Sequence, residues 1–292
     1  MYSGVELVST RPHRPRACRT ALTALVLAAW VWPAAAQAPP AVELLGAADR
    51  YLAEFIGRFS NVVAEERYAQ WTVNELERRE LVSDFLIVQI PATNDWVSFR
   101  DVLEVDGEPV GDGGQRLLTL LLEESSASTL ERARAIATEG ARFNLAGLGS
   151  LNEPLLALAF VQGAFSPRFA WTVEGKAPAV GPDVWEVRFA ETARPTLVRG
   201  AGNGDAPAAG AVWIEALTGR ILQTTLRVGD SEVLVRFAAD PAFGIAVPVD
   251  MRETHFAGNT IVRAAATYGR FRSFNVQTSE SFDAPPESRD SE

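Results

Sequence analysis

Three stretches of ten or more residues, each rich in strand-forming side chains, follow one another between Asn61 and Val110. They run from Val62 to Val73, from Glu77 to Ile90 and from Trp96 to Val105. Asn74-Glu75 and Thr93-Asn94-Asp95 are the only connections, Pro91 closes the second stretch, and Asp106-Gly107 is a turn signal after the third. Strands this long exceed the usual ~5–6 residues. Long strands twist, and tight connections hold twisted neighbours together, so the spacing predicts a curved antiparallel sheet.

The strand period returns after Pro167. Phe169, Trp171 and Val173 alternate, as do Trp185, Val187 and Phe189. A loop from Gly200 to Asp205 leads to a hairpin, Ala211 to Leu217 and Ile221 to Val228, turning at Thr218-Gly219. Val233, Val235 and Phe237 mark another strand, and Ile245–Phe256 and Thr260–Phe274 complete the set around Gly258-Asn259. That makes about seven strands.

Two regions carry helical periodicity instead. Ala41–Ser60 has Leu44, Leu45, Ala48, Leu52, Phe55, Ile56 and Phe59 on one stripe. The block from Gly113 to Gln162 predicts a short apolar helix around Leu117–Leu122, a helix from Ser128 to Phe143 opened by a Ser128/Glu131 capping box, and a third over Glu153–Gln162. The fold class expected is α+β: one incurved, half-open antiparallel barrel over residues 39–278, with the N-terminal helix and the 113–162 block packed on it. Residues 279–292, dominated by Ser, Glu, Asp and Pro, are expected to be disordered.

The leader fixes the compartment. Arg11, Arg14, Arg16 and Arg19 precede an apolar run from Ala21 to Trp32, and Pro33 and Ala34–Ala38 form a small-residue exit. This is the pattern of a secretory signal peptide cleaved near Ala36 or Ala38, and its run is shorter than the ~20 residues of a spanning helix. The expected location is therefore periplasmic or secreted. The net charge is −10, and the leader holds four arginines and Glu6, so the mature chain carries about −13. That charge disfavours nucleic acid and allows at most transient contact with an anionic membrane.

Cys18 is the one cysteine and His13 one of two histidines, and both leave with the leader. No disulfide, thiolate metal site or multi-histidine metal site is expected in what remains, and no cofactor is implied.

Gly210-Ala211-Val212-Trp213-Ile214-Glu215 followed by Thr218-Gly219-Arg220-Ile221-Leu222 resembles a hairpin of the outer-membrane lipoprotein carriers, in which a glycine and an aromatic precede a polar turn. The closing segment, Met251-Arg252-Glu253 through Ala266–Phe274, is similar to related secreted bacterial proteins. The resemblance implies a half-barrel whose mouth is covered by helices, and a lipid-type ligand. The 113–162 block is larger than in a simple carrier.

No catalytic constellation emerges. Neighbours on a strand face opposite ways, so Glu65 and Glu66 do not share a target, and Arg67, Arg78 or Arg79 are their expected partners. Glu253 and His255 fall on one strand face and could orient a general base, but Gly-x-Ser-x-Gly is absent. Gly200, Gly202 and Gly204 precede Asp205-Ala206-Pro207 rather than a helix, so they read as a flexible loop and not a phosphate cradle.

The aromatic strand positions are the remaining candidates. Trp96, Phe99, Trp171, Trp185, Phe189, Trp213 and Phe237 are expected to wall an apolar site, with Leu117, Leu121, Leu155 and Phe160 on a helical lid. The reading is a non-catalytic protein that binds a lipid or other apolar ligand, in company with another envelope protein. The alternative is an interaction protein whose aromatic residues fill an ordinary core and which acts through its surface or sheet edges.

Overall fold

Alternation sets each strand, and in the computed structural model these strands form one sheet. The structure describes residues 38–60, 62–73, 77–90, 95–110, 127–145, 151, 153–200, 203–257 and 259–273. The leader up to Gln37, the 117–122 helix with Leu117 and Leu121, and the 279–292 tail lie outside them.

Eleven strands are described: β1 (Val62–Thr72), β2 (Arg78–Ile90), β3 (Asp95–Val105), β4 (Glu108–Pro109), β5 (Phe169–Lys176), β6 (Val184–Glu191), β7 (Ala208–Glu215), β8 (Ile221–Val228), β9 (Ser231–Asp240), β10 (Ile245–Ala257) and β11 (Thr260–Ser273). Their order is β4-β3-β2-β1-β11-β10-β9-β8-β7-β6-β5, all antiparallel. The sheet is long, curved and open. It consists of two meanders, β1–β4 and β5–β11. Pairing of β1 with β11, Glu66 opposite Tyr268 and Gln70 opposite Ala264, joins them.

Three α-helices accompany the sheet: α1 (Ala41–Phe59), α2 (Ala127–Ala141) and α3 (Leu156–Val161). The stripe on α1 buries Leu44, Ala48, Tyr51, Leu52, Phe55, Ile56 and Phe59, while Val42 stays exposed. Full burial of a side chain of this size is worth roughly 1.5–3 kcal/mol, so packing holds α1. Its N-cap is Pro40, which offers no side-chain cap.

The helix crosses the inner face of the sheet. Gly219, at φ 73° in the β7–β8 turn, sits where a Cβ would lie 2.1 Å from the Ala47 carbonyl oxygen. Midway, Ala246 N–H donates to the Tyr51 hydroxyl at 2.8 Å. At the far end the Phe59 ring lies 6.3 Å from Phe85 and 6.4 Å from Phe271.

α2 lies on β2 and β3, where Gly140 approaches the Arg100 carbonyl. α3 is shorter than the expected Glu153–Gln162 helix. Pro154 supplies no N–H, and Gln162 turns to ψ 140°, ending the helix where its side chain is needed elsewhere. Among the described residues, no helix is long and apolar enough to cross a membrane.

A register shift between Pro248 and Asp250, opposite β9, inserts one residue into β10. The bulge reverses the alternation. Ala246 beneath α1 and Met251, Glu253 and His255 further along therefore all face inward.

Candidate functional site

The concave face divides into an apolar half and a polar half. β5–β9 supply the apolar half. Phe169, Phe189 and Trp171 form a ring cluster there, with centroids 5.4–5.8 Å apart. Phe160 of α3 inserts into it, 4.9 Å from Phe169 and 5.9 Å from Phe189. Val187, Val212, Leu226, Val233 and Val235 continue the surface, all buried.

The predicted wall residues take different places. Trp185, Phe189 and Phe237 are buried on the concave side, whereas Phe99, also buried, pairs with Leu86 on the opposite face from its inward neighbours Ser98 and Arg100. Trp171 is partly buried, and its indole N–H donates to the Ser166 carbonyl at 2.9 Å. Trp96 stands at the boundary between the halves, where its indole N–H donates to Gln162 Oε1 at 2.9 Å. Trp213 is different: it pairs with Glu186 and Gln223, all half-buried, on the opposite face from its inward neighbours Val212 and Ile214. Of the lid residues described, Leu155 and Phe160 are both buried in the core.

The polar half was not predicted. Glu66, Tyr68 and Gln70 follow the inward alternation of β1 set by Val62 and Ala64. They meet Ser98 and Arg100 of β3, Glu253 and His255 of β10 and Tyr268 of β11. Arg100 Nε donates to Glu66 Oε2 at 2.5 Å and its Nη2 to Oε1 at 2.9 Å, with Glu66 fully buried. The same guanidinium lies 5.1 Å from the centre of the Tyr68 ring. Tyr68 donates to Glu253 Oε2 at 2.9 Å, Gln70 Nε2 donates to the Tyr68 oxygen at 3.0 Å, and Leu145 N–H donates to Gln70 Oε1 at 2.8 Å. Glu153, just ahead of α3, accepts from Ser98.

Burial sets the titration of this cluster. It pushes the Glu153 carboxyl up to about 7 against the opposing pull of Arg100 and Ser98, with Glu66 adding to the rise. Burial also raises Glu253, opposed by the Tyr68 hydrogen bond, Arg100 and the Leu151 amide. Both phenols, Tyr68 and Tyr268, are held well above the usual range, first by desolvation and then by the nearby carboxylates. For Arg100 the desolvation runs the other way, and Glu66, Tyr268 and Glu153 outweigh it, so its proton is held more tightly than usual.

The expected partners of the Glu65-Glu66 pair are half corrected. Glu65 does meet Arg67, and Arg270 as well. Glu66 instead pairs with Arg100, some 34 positions away, because the β1–β2–β3 meander brings the two inward positions over one another. Arg78 pairs with Glu80, and Arg79 with Asp106. His255 Nδ1 meets Ser231 Oγ at 2.6 Å, while Glu253 is turned to Tyr68.

A pocket of about 10 Å³ opens beside this pair, lined by Tyr68, Gln70, Leu145, Glu253, His255, Val262 and Ala264. No group of acidic, histidine or cysteine side chains suited to hold a metal occurs among the described residues.

No protein-family model matches this chain, and no curated protein matches it. Two solved structures are similar in fold. One is a DUF1329 family protein from Desulfovibrio piger, at 11% identity and TM-score 0.43, covering 83% of this chain and 96% of the other. The second is described as an outer membrane lipoprotein-sorting protein domain from Vibrio parahaemolyticus, at 10% identity and TM-score 0.43, covering 82% and 95%. Neither likeness assigns a role to a residue.

Proposed function

We propose that the chain is a non-catalytic binding protein of the bacterial envelope, released from its leader near Ala36 or Ala38, that takes an acyl chain or similar apolar group on the concave face. One observation carries this reading. Among the described residues the apolar half is covered by helices and not by a second sheet, and the cover at its β5–β6 end is the six-residue α3 with the ring of Phe160. Displacing Phe160 and Leu155 would expose Phe169, Trp171 and Phe189 as a wall. A ligand chain would regain roughly 25 cal/mol for each Å² it buries there. In this reading Trp185 and Phe237 support the wall and Trp96 marks its rim. Delivery to another envelope protein would follow from a cover that opens.

A second reading has an observation of its own. The rings of Phe160, Phe169 and Phe189 already meet at 4.9–5.9 Å, as they would in the filled core of a protein that acts through its surface. Organic extraction of protein purified from its own envelope, followed by mass spectrometry, separates the two. A stoichiometric lipid, with displacement of a fluorescent fatty acid, supports the binding reading. A clean extract together with no fatty-acid binding would sink it in favour of the filled core.

A further inference from the structure

The pocket beside Glu253 has three properties that together select one kind of ligand. The first is charge. The polar half gathers Glu66, Glu153 and Glu253 around Arg100. Arg100 gives two hydrogen bonds to Glu66, and Ser98 serves Glu153. Glu253 receives the Tyr68 hydroxyl on Oε2 and feels the Leu151 amide as well, while its Oε1 is buried and meets no donor in ordinary hydrogen-bond geometry among the described residues. Glu253 as a whole is only 4% exposed, and it lines the pocket.

The second property is size. About 10 Å³ admits one group of the dimensions of a water molecule, which an –NH₃⁺ group matches and a trimethylammonium group exceeds. The third is the wall. Val262, Ala264 and Leu145 offer an apolar lining for a short methylene stem. His255, whose Nδ1 is engaged with Ser231, can present Nε2 as a second acceptor in the tautomer that donates from Nδ1.

We propose that this pocket binds a primary ammonium group, with Glu253 as its anionic partner and with Tyr68 and Gln70 holding that carboxylate in place. Tyr68 and Gln70 are positioning residues: the Leu145 amide fixes Gln70, Gln70 fixes the Tyr68 oxygen, and Tyr68 fixes Glu253. The site is separate from the acyl-binding reading and does not depend on it.

A pH signature follows. Burial holds the Glu253 carboxyl above its ordinary range, and a cation beside it would pull it back. Tyr68 and Glu66 on β1, Arg100 on β3, Glu153 ahead of α3, His255 on β10 and Tyr268 on β11 are the other titratable and charged groups of this cluster. None of them replaces an ammonium at Oε1. Binding should therefore release protons, and affinity should climb as pH rises through the Glu253 titration.

The test is isothermal calorimetry of the purified protein with ethanolamine, in two buffers of different ionisation enthalpy. The expected result is one site per chain, proton release, weakening by about tenfold or more in Glu253→Gln, and a similar loss when choline replaces ethanolamine. Ala264→Val, which narrows the pocket from its apolar wall and leaves every polar group in place, should also abolish binding and covers the case in which Glu253→Gln does not fold. Absence of binding, equal affinity of Glu253→Gln, or equal affinity for choline overturns the proposal. Co-sedimentation with phosphatidylethanolamine vesicles, set against phosphatidylcholine vesicles, identifies the source. Vesicle binding that ethanolamine competes away points to a lipid headgroup, and ethanolamine binding alone points to a free amine. A protein that binds fatty acid and ignores ethanolamine overturns this site only.

Discussion

Removing Arg100 should cost more than removing its partner Glu66, and the difference measures how the polar half is built. The Glu66 side chain is fully buried and Arg100 is 7% exposed, so neither charge can turn to water when the other is lost. Breaking a buried pair of this kind costs about 3–5 kcal/mol, because an unpaired charge remains in a low-dielectric site. Glu66→Gln leaves Arg100 with Glu153 still beside it, which places its cost at the lower end. Arg100→Met leaves Glu66, Glu153 and Glu253 gathered without a cation, which places its cost at the upper end. For a chain of this length each kcal/mol moves the thermal midpoint by roughly 2–4 °C, so Arg100→Met should lower it by about 10–20 °C. The double variant Glu66→Gln/Arg100→Met should be better than the sum of its parts by about 2 kcal/mol, since the second substitution removes the charge that the first stranded. Urea unfolding followed by tryptophan fluorescence gives all four corners of the cycle. An Arg100→Met cost below about 1 kcal/mol, or one smaller than that of Glu66→Gln, would refute the reasoning, because exposed pairs give values of that size.

Three further predictions rest on single positions. Glu153 has a folded pKa of about 7 against 4.5 for the free side chain. The native state therefore holds a proton that the unfolded chain has already lost, and stability should fall as pH rises from 4.5 through 7, by about 3 kcal/mol at most. Glu153→Gln should flatten that slope in denaturant titrations at pH 4.5 and pH 8, and an unchanged slope would show that Glu153 is not its source. At Gly210 a Cβ would lie 2.0 Å from the Thr225 carbonyl oxygen and 2.9 Å from the Phe189 ring, so Gly210→Ala should destabilise by about 1–3 kcal/mol or more. Gly57→Ala on the exposed side of α1, where nothing lies within 4 Å, should instead stabilise by about 0.5–1 kcal/mol; equal effects at the two glycines would contradict the close approach of β7 to β8.

The strands and α1 were legible because their signals are local. Tight turns and period-two alternation place β1–β3 and β5–β11 within a few residues of their observed bounds, and the Leu44–Phe59 stripe defines α1. α3 was read as too long, since Leu155, Leu156, Leu158, Phe160 and Val161 are as apolar in a six-residue turn as in a full helix. The inward and outward faces were less legible. Trp213 has the same residue type as Trp171 and Trp185, and only its register opposite Glu186 and Gln223 puts it on the convex side.

The polar half left a signal that residue type alone obscured. Glu66, Tyr68 and Gln70 occupy every second position after Val62 and Ala64, which is the buried phase of β1. Charged residues in a buried phase imply partners elsewhere in the fold. What sequence could not supply was the identity of those partners, because Arg100, Glu253 and Tyr268 arrive through three separate strand pairings. The β10 bulge hid Glu253 further, since it shifts the phase between Ala246 and Met251.

The division of the concave face decides where a cover could open. Near Trp96 and Glu153 the cover is tied to β3 by directional bonds, Trp96 to Gln162 and Ser98 to Glu153, in surroundings where an unmade hydrogen bond costs about 1–3 kcal/mol. Beyond Gln162 the ties to α1 are fewer: Gly163 N–H donates to Asp49 at 2.8 Å, and that bond is exposed, so water can replace it. Phe160 is held by ring contacts, which are not directional and which an acyl chain could reproduce. If the protein binds an apolar group, entry should therefore begin at the β5–β6 end, with the β3 end of the cover acting as the hinge. The buried charges then have a role in binding without touching the apolar ligand: they keep one edge of the lid in register while the other edge moves.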